Sequence, residues 1–213
     1  MGSERNGSIH VLYIWWFLAC REVLNTRVRI FPQRAVSGRA LCVVLFFTYV
    51  ALVSMMRSRL VGTDTLAYSK TFSYIASKDS LHDVFVGGKK SPVYETIQYF
   101  ISGISSNPQI YIATFSLVIA LGFGIYIHKA SSDVWFSCFL YFGMTHFFSS
   151  MNIMKQFTAA AIVINAYLSL RNNIMSLKGW LLYIIALGIH PSCIFFLPAV
   201  FFSRMSEKQA LRK

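Results

Sequence analysis

Apolar residues in this chain gather into nearly unbroken stretches separated by short polar segments, unlike the alternating or 3.6-residue spacing of half-buried elements. Stretches of this purity predict helices that cross a hydrocarbon core about 30 Å thick, each needing about 20 residues. The first, over residues 9–24, is marginal in length. Further spans are predicted over residues 40–56, 109–127, 134–148, 153–170 and 180–202. Residues 57–108 are different in kind. They open on a polar loop, continue as an amphipathic segment and end in Val93–Ile104, which is too short to span and too apolar to float free. That last piece reads as an interfacial or re-entrant helix. The fold class is therefore all-α: a polytopic helical membrane protein of about five to six spans, forming a single integral-membrane domain over residues 1–213 with residues 57–108 as an external segment.

Composition agrees with that class. With 55% hydrophobic residues, 19 Phe and only 13% charged residues, the chain is more apolar than one soluble core requires. The formal net charge of +12 sits in the connectors and makes no continuous basic face, so the bilayer is the expected partner and nucleic acid is not. Arg21, Arg27, Arg29, Arg34 and Arg39 crowd the connector before the second span, with Glu22 opposing them. Such a connector belongs in the cytoplasm, which puts the amino terminus and residues 57–108 outside. The stretch from Trp180 to Phe202 is broken by His190-Pro191-Ser192. Either it crosses as one tilted helix, leaving Arg204, Lys208, Arg212 and Lys213 outside against the charge rule, or it is a re-entrant segment with both ends inside. Cys20, Cys42, Cys138 and Cys193 are widely spaced in apolar surroundings and suit neither a zinc site nor a disulfide framework; no metal or cofactor is expected.

Polar chemistry converges on the outer face. Arg57, Arg59 and Asp64 lie in the first external loop, where Gly62 permits a turn and Thr63, Asp64 and Thr65 can cap the helix that follows. Glu95 opens the interfacial segment. Asn152, Lys155 and Gln156 share a helix face at the outer end of the fifth span, continued by Ala159 and Ala160. His190 marks the helix break. Snorkelling side chains would be spread over both faces, so their gathering on one side points to a polar cavity. Cations suit a phosphate or pyrophosphate, and a carboxylate or histidine beside them suits removal of a hydroxyl proton.

The ordered set Arg57, Arg59, Gly62-Thr63-Asp64-Thr65, Tyr68 and Phe72, then Tyr94-Glu95, then Met151-Asn152-Ile153-Met154-Lys155-Gln156, then Gly188-Ile189-His190-Pro191-Ser192 resembles the EpsG/Wzy-type exopolysaccharide and O-antigen polymerases over about residues 40–202. Lys155 stands where such proteins usually carry arginine, which keeps the charge and loses the bidentate fork. Those families usually continue for several more spans, so the resemblance implies a truncated or split copy. It implies a glycosyltransferase of the bacterial inner membrane that moves a growing glycan from undecaprenyl pyrophosphate to another lipid-linked repeat unit on the periplasmic face. Its partners would be the lipid-linked oligosaccharide, the bilayer and other polysaccharide assembly proteins. Asp64 and His190 are then the expected catalytic residues, with Arg57, Arg59, Glu95, Asn152, Lys155 and Gln156 binding substrate. Two other classes use the same features: a non-catalytic, flippase-like transport or assembly protein holding the same lipid-linked sugar, and a membrane O-acyltransferase, favoured by a histidine in an apolar setting.

Overall fold

The computed structural model describes residues 28–31, 34–86 and 91–210, so the predicted span over residues 9–24 lies outside it. Two short strands, β1 (Val28–Phe31) and β2 (Arg34–Val36), pair antiparallel within the basic connector, a small addition to the all-α expectation. Everything else with regular structure among the described residues is helical. Helix α1 (Gly38–Met56) starts where Ser37 accepts a hydrogen bond from the Ala40 backbone N–H. The segment between the first two long apolar helices holds α2 (Thr65–Ala76), α3 (Leu81–Val86) and α4 (Pro92–Ile104). Helix α5 (Pro108–Ala130) begins with Asn107 capping Gln109 and with Pro108 in the first turn, where its missing N–H is not needed.

α1 and α5 are long and apolar enough to cross a membrane. They run antiparallel, tied at both ends. Arg39 donates to the carbonyls of Ser131 (2.6 Å) and Ser132 (3.3 Å) at the C-terminus of α5, while Gln109 Nε2 at its start donates to the carbonyls of Met55 (2.6 Å) and Arg57 (3.1 Å). An arginine at the negative end of a helix dipole satisfies carbonyls that have no partner within the helix.

The predicted span over residues 134–148 is not one helix. α6 (Val134–Gly143), capped by Asp133, stops after about 15 Å, and α7 (His146–Asn152) follows a break at Met144-Thr145. Thr145 adopts a left-handed conformation (φ 63°), which a β-branched residue resists and an unbroken helix cannot contain. α8 (Met154–Asn172) and α9 (Leu177–Ile189) pack antiparallel: Gly179, at the start of α9, lies against Leu170 near the end of α8. Asn165 on α8 donates to the Gly122 carbonyl of α5 (2.8 Å), a polar tie between apolar helices. At His190 the predicted stretch 180–202 breaks into α9, a 3₁₀ turn (Pro191–Phe195) and α10 (Phe196–Ala210), because Pro191 cannot donate to the helix ladder.

α8 is the centre of the larger core, which joins Met154, Ala159, Val163, Ala166 and Leu170 to residues of α2, α4, α5 and α9. α4 meets α9 where Val93 faces Gly188, and any Cβ on Gly188 would overlap Val93 Cγ2. Gly188→Leu should therefore push α9 from α4 and cost about 1–3 kcal/mol, read as a lowered apparent melting midpoint of the detergent-solubilised protein. Gly103→Ala, where a Cβ meets nothing within 4 Å, should lower it little or not at all. Equal midpoints for the two variants would contradict the tight crossing.

Candidate functional site

α1 ends because Arg57 turns to an extended conformation (φ −62°, ψ 145°), sending its side chain inward. Only 7% of Arg57 is exposed. Its Nη2 donates to Met154 Sδ at 3.5 Å, and its Nε is buried with no acceptor. Among the described residues no carboxylate pairs with it; Tyr111 and Tyr94 are its electrostatic neighbours. Burial lowers its pKa to about 10, with the two tyrosines opposing the shift, so it remains a cation at neutral pH. A buried cation without a counter-ion is costly, and an anionic ligand would relieve that cost.

The loop after Arg57 is fastened to α7. Gly62 sits at φ 98°, and a Cβ there would come within 2.8 Å of both Asn152 Oδ1 and Thr65 Oγ1. The Thr63 N–H donates to Asn152 Oδ1 (3.2 Å), and Thr65 Oγ1 donates to the Met151 carbonyl (3.1 Å). Asp64 occupies the cap position of α2, but its carboxylate caps nothing; the expected Asp64 cap is not formed, and the carboxylate lies half-buried beside Tyr68. Thr65 does not cap either, since its hydroxyl reaches across to α7.

Lys155 joins this group from the first turn of α8. Its ammonium lies 5.6 Å from the centre of the Tyr94 ring and within electrostatic reach of His190. Burial and then the nearby Asp64 push the Tyr68 phenol up, and burial pushes Tyr94 up as well, so both stay neutral. His190 caps the 3₁₀ turn. Its Nδ1 accepts from the Ser192 N–H (3.3 Å) and lies 2.7 Å from Ser192 Oγ. A backbone N–H can only donate, so the neutral ring carries its proton on Nε2 and presents a donor there.

Lys155 lies over the Tyr94 ring, Asn152 anchors the loop that carries Asp64, and Arg57, Asp64 and His190 lie within electrostatic reach of Tyr94, Tyr68 and Lys155 respectively. Glu95 is buried on α4 next to Tyr94. Arg59 and Gln156 are exposed, and no contact brings either into the group. The predicted common face of Asn152, Lys155 and Gln156 does not exist, because Asn152 ends α7 and Ile153 (φ −100°, ψ 52°) separates it from α8. The sequence offered Tyr94 only within the Tyr94-Glu95 pair of the resemblance, and Tyr111 and Gln109 only by their place in the first turn after Asn107-Pro108. A separate cavity of about 390 Å³, lined by Tyr74, Ser77, Lys78, Asp79, Asp83 and Val86, shares no residue with the group.

All of these groups lie at one end of the helices: the C-termini of α1 and α9 and the N-termini of α2, α4, α5 and α8. Arg39, Lys129, Arg171 and Lys178 mark the opposite end. A model described as the EpsG family matches residues 40–211. No curated protein and no solved structure matches the chain.

Proposed function

Since the chain belongs to the EpsG family and carries apolar helices of membrane-spanning length, we propose that this membrane protein is a polysaccharide polymerase of the bacterial inner membrane. It transfers a growing glycan from undecaprenyl pyrophosphate to the non-reducing end of another lipid-linked repeat unit. The observation that carries this reading is the buried Arg57 cation, which has no ion pair to a carboxylate among the described residues and which, with Lys155, offers positive charge for a pyrophosphate near the half-buried Asp64. In the step proposed, Asp64 takes the proton of the acceptor hydroxyl, whose oxygen forms the new bond to the anomeric carbon. The bond from that carbon to the pyrophosphate oxygen breaks, and the electron pair leaves with the lipid pyrophosphate. Arg57 and Lys155 offset the charge that develops there, and His190 Nε2–H donates to the same group.

The basic residues at the far end of the helices favour a cytoplasmic position for that end, which supports a periplasmic site. A cysteine at Ser58 should then react with an impermeant thiol reagent in whole cells with a permeabilised outer barrier, while one at Ser37 should not. In cells lacking the protein, the glycan ladder should disappear and lipid-linked single units should accumulate on the periplasmic side. Accumulation on the cytoplasmic side would make it a transporter instead, and labelling at position 37 alone would invert the topology.

A further inference from the structure

Asp64 is held in place by its neighbours in the chain. The residue before it and the residue after it each bond to the end of α7: the Thr63 N–H donates to Asn152 Oδ1 at 3.2 Å, and the Thr65 hydroxyl donates to the Met151 carbonyl at 3.1 Å. The Asp64 carboxylate makes no cap bond to α2, so helix capping does not claim it. Gly62 completes the fit. At its φ of 98°, a Cβ would come within 2.8 Å of Asn152 Oδ1 and Thr65 Oγ1 and within 3.2 Å of the Met151 carbonyl oxygen, three of the atoms that make the two bonds. Only glycine lets the turn approach α7 this closely. α7 in turn has a firm base, since Phe147 and Met151 are buried in a second core with residues of α1, α5 and α6, whereas α2 packs through Phe72 into the larger core. The two bonds therefore join one core to the other on either side of Asp64.

We infer that Asn152 is a positioning residue and not a substrate ligand: its amide oxygen and the Met151 carbonyl form a clasp that grips the Gly62–Thr65 turn and sets where the Asp64 carboxylate stands. The inference rests on the polymerase reading in taking Asp64 as the base; the clasp itself stands on the two bonds. Displacing a reacting group by about 1 Å can cost on the order of 100-fold in rate, so a residue that never touches substrate can still govern the step. Aspartate at position 152 separates the two roles. It keeps an oxygen at the same reach to accept the Thr63 N–H, and it lacks the amide N–H groups through which asparagine would hold a phosphate.

The experiment measures hydrogen exchange at the Thr63 amide of the full-length protein, beside initial rates of glycan extension against the concentration of lipid-linked acceptor. Asn152→Ala should speed Thr63 exchange about tenfold, with exchange in α8 unchanged, and lower kcat about tenfold with KM within about twofold of wild type. Asn152→Asp should return both exchange and kcat to within about threefold of wild type. Thr65→Val, which keeps the shape and removes the second bond, should act as Asn152→Ala does, and Gly62→Ala should cost at least as much. Adding Asn152→Ala to Gly62→Ala should then lower kcat by less than about twofold further, because both changes break one contact. Wild-type exchange at Thr63 in Asn152→Ala overturns the inference, as do losses that multiply in the double variant. An Asn152→Asp protein that keeps its Thr63 protection but extends as slowly as Asn152→Ala overturns it too, and makes Asn152 a substrate ligand. Exchange that follows the expected pattern in a protein that makes no polymer would refute the polymerase reading while supporting the clasp.

Discussion

Arg57→Met should reduce the rate of glycan extension about a thousandfold while leaving the folded protein as stable as before, or more so. The two halves of this expectation have one origin. Arg57 is almost fully buried with no ion-pair partner among the described residues, so the fold carries its desolvation cost without a matching attraction, and methionine of similar reach removes that cost. The same charge, held in surroundings of low dielectric, is worth most to a departing pyrophosphate; deleting a single preorganised group of this kind typically costs 10²–10³ in rate, and a full charge belongs at the upper end. Arg57→Lys keeps the charge but not the fork and should fall between. Initial rates in proteoliposomes, read beside melting midpoints, decide the matter. A methionine variant within tenfold of wild type would mean that Arg57 has no role in the step.

Asp64→Asn should slow extension by at least about 100-fold, the lower end of a general-base contribution, without weakening acceptor binding. Asparagine is as good a cap residue as aspartate, and the carboxylate makes no cap hydrogen bond to lose, so α2 should persist and only the charge should go. If the variant runs at the normal rate, proton removal belongs to another group. His190 is the less suitable candidate, because a backbone N–H already occupies its Nδ1 and the opposite nitrogen presents a proton.

Long apolar runs were legible in the sequence because a bilayer asks little of the side chains within it: Gly38–Met56 and Pro108–Ala130 come within three residues of the predicted bounds. The break at Thr145 was not, because no proline or glycine stands at the left-handed residue and tertiary context imposes the conformation. Among the site residues, shared sidedness followed from the alternation of runs and basic connectors, and the resemblance pointed to Arg57, Asp64, Lys155 and His190. What joins them was hidden. Tyr94 and Tyr111 are two of 11 tyrosines in a chain with 19 phenylalanines, and nothing in spacing marks them as a buried pair joined through their hydroxyls. Arg57 and Arg59 look alike as a pair, yet one is buried and the other exposed, since only the residue that ends α1 can turn its side chain beneath the loop.

The ties that assemble this end of the bundle join residues far apart in the chain: Gln109 to Arg57 across 52 positions, Thr63 to Asn152 across 89 and Arg57 to Met154 across 97. A chain entering the membrane from its amino terminus therefore delivers Arg57 long before α8 exists to receive it. Until then the guanidinium must stay in the headgroup layer, where anionic phospholipids can solvate it. Its contact with Met154 cannot form until α8 has followed. Biogenesis thus has an order built into it: insertion of α1 precedes closure of the site by roughly a hundred residues of synthesis, about 5–20 s at the usual rate of elongation, and nascent chains stalled before α8 emerges should still expose the 57–65 loop to protease.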